Sequence, residues 1–166
     1  MIDFTIPVAD WINEIFEVVS FYISPILRSL SSFLGIIISQ FEELLLWPPE
    51  IIMLLIAVIV WKFAGTRLAV FSIIGLLLVY GMGIWDETMS TIALALSGTL
   101  VSLIFGIPIG ILSAQNDVAE SIIRPIMDFM QTLPSFVYLI PAVMFFGMGK
   151  VAALVATMIF AMPPAV

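Results

Sequence analysis

The chain contains no cysteine and no histidine among its 166 residues. The absence of cysteine excludes disulfide bonds and metal sites built on thiolates. The absence of histidine removes the commonest metal ligand and the usual general base of enzymes. Without either residue type, no nucleophile–base pair can be assembled in a chain this poor in charge. We therefore expect no catalytic residue, no metal and no cofactor.

Charged residues are also scarce. They make up 10% of the chain, whereas 63% of the residues are hydrophobic and the mean hydropathy is +1.26. A typical soluble domain has roughly 25% charged residues, so the composition predicts an all-α polytopic membrane protein in a lipid bilayer. The five basic residues are scattered and the net charge is −7, so we expect no nucleic-acid partner.

The phosphate-binding motif G-x-x-x-x-G-K-[ST] is missing as well. The nearest stretch, GMGKV, has neither the spacing nor the hydroxyl of that motif. If transport is active, its energy must come from another polypeptide. No carboxylate lies in the middle of the last three apolar segments, which argues against a proton-driven carrier.

The first 49 residues predict amphipathic helices rather than a secretory signal, because MIDFTIPVADWINE carries acids where a signal has basic residues. From Pro25 to Trp47, apolar residues recur at i, i+3, i+4 and i+7, with serines and charged residues on the other face. We expect this helix to begin at Ser24 as N-cap and to lie in the membrane plane. Packing of the helix on the spans is the alternative. A shorter amphipathic piece at 11–22 precedes it.

Five apolar segments follow this region and predict five membrane spans. They cover residues 51–61, 68–85, 88–112, 128–149 and 151–166. The first is short, since a bilayer needs about 20 residues. With the N-terminus outside, three of the five basic residues fall in the cytoplasm. The last segment ends in FAMPPAV without a polar flank, so we expect a fragment or a truncated chain.

The stretch between the third and fourth spans, SAQNDVAESIIRP, is polar. Asp117 and Glu120 have the spacing of a capping box and predict the start of a short helix there. Arg124 and Asp128 are one helical turn apart and are expected to form an ion pair.

Small residues recur at every fourth position of the third span. They are Gly98, Ser102, Gly106, Gly110 and Ala114. Such a ridge lets two helix backbones approach closely, because lipid supplies no hydrophobic drive for helix association. We interpret the ridge as a tight helix contact beside a moving pathway, with ordinary packing as the alternative. Pro108 lies inside the ridge and is a candidate bend point.

The fourth span, DFMQTLPSFVYLIPAVMFFGMG, contains Pro134 and Pro141. Proline removes a backbone donor and clashes with the preceding turn. Irregular backbone at membrane depth survives only where protein or water covers it, and broken helices recur at transporter sites. We predict that this segment faces a bundle interior or a pathway, with Gln131 and Thr132 able to bond a freed carbonyl or to face the same cavity. The alternative is two tolerated kinks in an ordinary span.

The run from SGTLVSL at residue 97 to FAMPPAV at residue 166 resembles the permease subunit of glycine betaine/proline-betaine ABC importers. The most specific part is IIRPIMDFMQTLPSFVYLIPAVMFFGMG followed by FAMPPAV. The resemblance covers residues 51–166 well and the acidic N-terminal region loosely. It implies a type I ABC importer permease-like helical bundle, here truncated.

The resemblance also implies partners and a location. These are a second permease copy forming a homodimer, a cytoplasmic ATP-binding subunit that hydrolyses ATP, and an extracytoplasmic solute-binding protein, all at the cell membrane with the N-terminus outside. The motif MQT-P-FVYL-P falls in the family's core permease module, near the translocation pathway. Its positions here are Met130, Gln131, Thr132, Pro134, Phe136, Val137, Tyr138, Leu139 and Pro141.

Two features depart from the family pattern. Ala152 stands where relatives often have proline. The family also continues past MPP into further spans and an E-A-A loop that docks on the ATPase, and this chain does not contain that loop.

On this resemblance we interpret the chain as the N-terminal part of a compatible-solute importer permease. Residues 1–49 would form extracytoplasmic or interfacial amphipathic helices, 50–85 two peripheral spans, and 88–166 the start of the core permease domain with three spans. A stand-alone channel or secondary carrier, and a non-functional membrane scaffold or truncation product, remain as alternatives.

Overall fold

The computed structural model describes the backbone of residues 8–166 and the side chains of Glu17, 21–134 and 136–166. Within residues 8–166 every regular element is a helix, which confirms the predicted all-α fold class. The α-helices are α1 (Val8–Leu45), α2 (Pro49–Ala64), α3 (Thr66–Gly81), α4 (Trp85–Gln115), α5 (Asp117–Thr132), α6 (Ser135–Phe146) and α7 (Lys150–Ala161), and a 3-10 turn follows at Pro163–Ala165. The predicted N-terminal region reaches residues 1–7, which lie outside the described residues.

Two stretches of helix are long and apolar enough to cross a membrane. They are Phe21–Leu45, with 25 residues, and Trp85–Gln115, with 31 residues. The bent pair of α5 and α6 makes a third crossing if it is counted as one span. Helices α2 and α3 have 16 residues each. That length gives about 24 Å of helix, less than the hydrocarbon thickness of about 30 Å.

Helix α1 runs without interruption through Pro25, where the sequence predicted a new helix start. Because Pro25 has no N–H, the carbonyl of Phe21 loses its helical donor. The hydroxyl of Ser24 donates to that carbonyl at 3.2 Å, so it repairs the helix from within rather than capping it. The predicted cap at Ser24 and the separate piece at 11–22 are therefore wrong. Whether α1 lies in the membrane plane stays a prediction.

Helix α4 is the centre of the bundle and contacts α1, α3, α5 and α7. One buried cluster joins Leu34 and Ile38 of α1 to Val101 of α4 and Leu154 of α7. A second cluster joins Ile52 of α2 to Trp85 and Met89 at the start of α4. Gly65, with a φ of +89°, makes the tight connection between α2 and α3 that only glycine adopts without strain. These two buried clusters thus fix the position of α4 relative to α1, α2 and α7.

The N-cap of helix α5 is Asn116, the residue directly before the helix. Its side-chain oxygen accepts from the backbone N–H groups of Val118 at 2.9 Å and Ala119 at 3.2 Å. Asn116 itself is extended, as an N-cap residue must be, whereas Asp117 is already helical. The predicted capping box of Asp117 and Glu120 is therefore wrong.

Arg124 pairs in the opposite direction along α5 from the one predicted. Its Nη1 donates to Oε1 of Glu120 at 2.8 Å, one turn towards the N-terminus, rather than to Asp128. Glutamate four residues before the basic residue is the more favourable order on a helix. The predicted Arg124–Asp128 pair is therefore wrong.

A second ion pair joins α1 to α7, and its loss should cost more stability than the loss of the pair within α5. Lys150 Nζ donates to Oε1 of Glu42, and the Glu42 side chain is only 17% exposed, whereas Glu120 is 47% exposed. We expect Lys150→Met to cost about 1–2 kcal/mol, because it leaves a largely buried carboxylate unpaired. Arg124→Met should cost about 0–0.5 kcal/mol, because its pair is solvated. Thermal unfolding in detergent measures both. Equal shifts for the two variants would contradict this expectation.

Candidate functional site

The helix is broken between α5 and α6, inside the segment that contains Pro134 and Pro141. The axes of α5 and of residues Phe136–Phe146 meet at 99°. The break consists of Leu133 (φ −85°, ψ 139°) and Pro134 (φ −57°, ψ 137°), both extended. A residue before proline is pushed out of the helical region by the proline ring. The Leu-Pro pair therefore ends α5 and starts α6 in a new direction. We call residues 129–138 the elbow.

Two side-chain hydroxyls donate to backbone carbonyls in the last turn of α5, and one of these carbonyls has lost its helical donor to Pro134. Residue 134 would donate to the carbonyl of Met130 in a continuous helix, but Pro134 has no N–H. The hydroxyl of Tyr138 donates to that carbonyl at 3.0 Å in a partly buried position. The hydroxyl of Thr132 donates to the carbonyl of Phe129 at 2.8 Å. The elbow is thus a hydrogen-bonded structure rather than a frayed helix end.

The other two candidate bend points lie inside continuous helices. Helix α4 runs through Pro108, and helix α6 runs through Pro141. Both proline side chains are on exposed faces of their helices. Of the three prolines, only Pro134 coincides with a change of chain direction between two helices.

The N-terminal half of the small-residue ridge lies against α7. A methyl group added to Gly98 would come within 2.9 Å of Cγ2 of Thr157, so there is no free space above this glycine. Ser102 is buried, and its hydroxyl donates across the interface to the carbonyl of Met158 at 3.3 Å. The close approach of α4 and α7 therefore depends on small side chains on both helices.

The C-terminal half of the ridge lies against the 3-10 turn. A methyl group on Gly106 would lie 2.7 Å from Cβ of Ala165, and one on Gly110 would lie 2.4 Å from the carbonyl oxygen of Val166. Ala114, the last residue of the ridge, is exposed. The ridge thus contacts α7 and the 3-10 turn over about three helical turns of α4, from Gly98 to Gly110. Ala114 is not part of this contact.

Gln131 lines a half-open cleft of about 280 Å³ between α4, α5 and the 3-10 turn. Its walls include Ser113, Arg124, Asp128 and Pro163, so the cleft is polar on the α5 side. The polar face of α5 is therefore turned towards a space rather than towards the apolar core.

Phe136 and Leu139 line a different, apolar cavity of about 310 Å³ between α6 and α7. Ala153, Ala156, Thr157 and Phe160 complete its walls. Gln131, the pair of Phe136 and Leu139, and the bonded hydroxyls of Thr132 and Tyr138 thus lie in three different places, whereas Val137 and Pro141 are exposed. The motif residues do not converge on one point.

Sequence reasoning missed the partners of the ridge on α7 and the turn. A signal was present, because small residues also recur at every fourth position there. They are Ala153, Thr157, Ala161 and Ala165. Two matching small-residue rows in successive apolar segments indicate a close helix pair more strongly than one row alone.

The long apolar helices, the close small-residue contact and the proline-broken helix together define an all-α, multi-pass membrane protein. Residues 106–166 match the family model for the binding-protein-dependent transport system inner membrane component. The match includes the C-terminal third of α4 and all of α5, α6, α7 and the 3-10 turn.

Known relatives are similar to nearly the whole chain. The glycine betaine/carnitine transport permease protein GbuB of Listeria monocytogenes is 40% identical over 98% of this chain and 59% of its own length. The glycine betaine/proline betaine transport system permease protein ProW of Escherichia coli is 37% identical over 96% of this chain and 45% of its own length. The glycine betaine transport system permease protein OpuAB of Bacillus subtilis is 36% identical, over 97% and 57% respectively. The chain spans about half the length of these curated relatives.

Proposed function

We propose that the chain acts in the permease subunit of an ATP-driven importer of compatible solutes and forms part of its translocation pathway. The solutes would be glycine betaine, proline betaine and related quaternary amines. The observation that carries this proposal is the 36–40% identity, over 96–98% of the chain, to three permease proteins that are each named for glycine betaine transport.

The proposal includes three protein partners. A cytoplasmic ATP-binding subunit would hydrolyse ATP, a second permease copy would complete a homodimer, and an extracytoplasmic binding protein would deliver the solute. The N-terminus would lie outside. In support of a separate ATPase, the sequence carries no phosphate-binding motif. Lys62 and Arg67 lie together at the α2–α3 connection, which supports this orientation if α1 lies along the membrane surface rather than across it.

Within the permease, residues 1–49 would form the N-terminal amphipathic region, 50–85 the peripheral spans, and 88–166 the start of the core domain. The contacts among α4, α5, α6, α7 and the turn support the grouping of 88–166 as one packed unit. We place the pathway beside the elbow, because broken backbone at membrane depth needs protein or water around it. The pathway residues in this proposal are Met130, Gln131, Thr132, Pro134, Phe136, Tyr138 and Pro141, with Pro108 nearby on α4.

Uptake of radiolabelled glycine betaine tests the proposed function. The protein is expressed in its full reading frame, together with the ATPase and the binding protein, in bacteria that lack their own betaine uptake. We expect accumulation against a gradient that stops when the ATPase is inactivated at its phosphate-binding lysine. Flux that continues with the inactive ATPase would favour a channel or secondary carrier instead. No flux with every partner present would favour a scaffold.

A further inference from the structure

We propose that Tyr138 is a positioning residue that holds the elbow in its bent form by substituting for the amide that Pro134 lacks. The consequence for transport rests on the proposed function, whereas the consequence for the angle between α5 and α6 does not. The structural basis is the hydrogen bond of 3.0 Å from the Tyr138 hydroxyl to the carbonyl of Met130.

The geometry makes this hydrogen bond a constraint between two rigid bodies. Met130 lies in the last turn of α5, and Tyr138 lies in the first turn of α6. Only Leu133 and Pro134 connect the two helices. A hydrogen bond between residues on both sides of so short a connection closes a ring and fixes the angle at which the helices meet. The Thr132 hydroxyl does not have this effect, because its acceptor, Phe129, belongs to the same helix.

The bond has no backbone substitute. In a helix without proline, the amide of residue 134 would take the Met130 carbonyl as soon as the elbow straightened. Pro134 cannot do so, so a straighter elbow leaves that carbonyl without a helical donor. Because unpaired backbone groups are costly away from water, the hydroxyl favours the bent form over straighter ones. The free-energy difference between the bent and the straighter elbow therefore depends on the hydroxyl of Tyr138.

Spin-label distances measure the elbow directly. The chain has no cysteine, so Val118→Cys on α5 and Ile140→Cys on α6, both at exposed positions, supply a unique label pair in protein reconstituted in lipid nanodiscs. We expect Tyr138→Phe to add a longer distance and to change the ratio of bent to straight forms about fivefold, as the loss of one hydrogen bond implies. Tyr80→Phe makes the same chemical change far from the elbow and should leave the distances unchanged, and so should Thr132→Val. An unchanged distribution in Tyr138→Phe overturns the proposal.

The variant Pro134→Ala provides the second test, because it restores an amide at the break. In this background the further change Tyr138→Phe should have no additional effect on the distances. An equal effect with and without Pro134 would show that the hydroxyl serves another purpose, and it would overturn the proposal. If Tyr138→Phe does not fold alone but folds together with Pro134→Ala, the proposal is supported. If neither protein folds, it is overturned.

Uptake kinetics separate this proposal from the proposed function. In a working importer, Tyr138→Phe should lower the maximal rate and leave the KM for glycine betaine unchanged, because in the proposed function the extracytoplasmic binding protein captures the solute. Distances that respond as expected in a protein that transports nothing would contradict the proposed function and leave the role of Tyr138 standing. A changed KM with unchanged distances would overturn the role of Tyr138.

Discussion

Gly110→Ala is expected to destabilise the folded protein strongly, whereas Gly75→Ala is expected to be neutral or slightly stabilising. The added methyl group at position 110 would lie 2.4 Å from the carbonyl oxygen of Val166 and 3.1 Å from its Cα. The Cα and carbonyl carbon of Val166, at 3.1 and 3.2 Å, can move only together with the backbone, so α4 and the residues after the turn must shift apart. Overpacking of this kind costs about 1–3 kcal/mol or more. Nothing lies within 4 Å of the corresponding position at Gly75, and there alanine gains helix propensity.

The distances from an added methyl group to its neighbours also predict how much stability alanine should cost at the other glycines of the ridge. Gly106→Ala should resemble Gly110→Ala, because its methyl group would meet Ala165 at 2.7 Å and the carbonyl carbon of that residue at 3.3 Å. Gly98→Ala should cost less, since its nearest obstacle is the side chain of Thr157, which can change rotamer. Thermal unfolding of the purified variants in detergent, with Gly75→Ala as matched control, gives the ranking. Equal midpoints for Gly110→Ala and Gly75→Ala would show that α4 and the turn do not pack in this way.

Pro134→Ala is expected to lower glycine betaine uptake at least about tenfold, a shift that needs only about 1.4 kcal/mol between two conformations. Alanine restores the amide that can serve the Met130 carbonyl, so α5 and α6 gain a continuous helix as an alternative to the bend of 99°. Pro141→Ala is the matched control. It removes a proline from the same segment, but α6 already runs through position 141 and keeps its direction.

Uptake should therefore fall much further in Pro134→Ala than in Pro141→Ala, at equal amounts of protein in the membrane. Equal losses in both variants would mean that proline content, rather than the change of direction, matters for transport. Unchanged uptake in Pro134→Ala would remove the elbow from the mechanism.

The location of the elbow could be predicted from the sequence, but its internal bonding could not. A Leu-Pro pair after a polar Gln-Thr pair, inside an uncharged segment, indicated where the backbone is irregular. Thr132 bonds the carbonyl of Phe129, whereas the carbonyl freed by Pro134, that of Met130, is bonded by Tyr138. The bond between Tyr138 and Met130 spans eight residues across a bend. Its existence depends on the angle of that bend, which no periodicity encodes.

Errors at helix starts share one physical cause. Ser24 and Asp117 both belong to residue types that favour N-caps, and the sequence assigned that role to each. Ser24 instead serves the carbonyl freed by Pro25 in the middle of α1. At the start of α5 the N-cap is Asn116, one residue before Asp117. The same side chain can cap a helix or repair one, and the conformation of its own backbone decides between these outcomes.

The sequence by itself determined that this chain is helical and embedded in a membrane. The chain has too many apolar residues and too few charged ones for a protein that folds in water. In lipid, a helix pairs the backbone N–H and C=O groups of an apolar segment within that same segment. Only the tertiary structure decided which surfaces meet: the α4 ridge with α7 and the turn, Glu42 with Lys150, and Tyr138 with Met130. Helix formation depends on neighbours within four residues, whereas these contacts depend on how whole helices are placed, and that placement is a property of the packed chain.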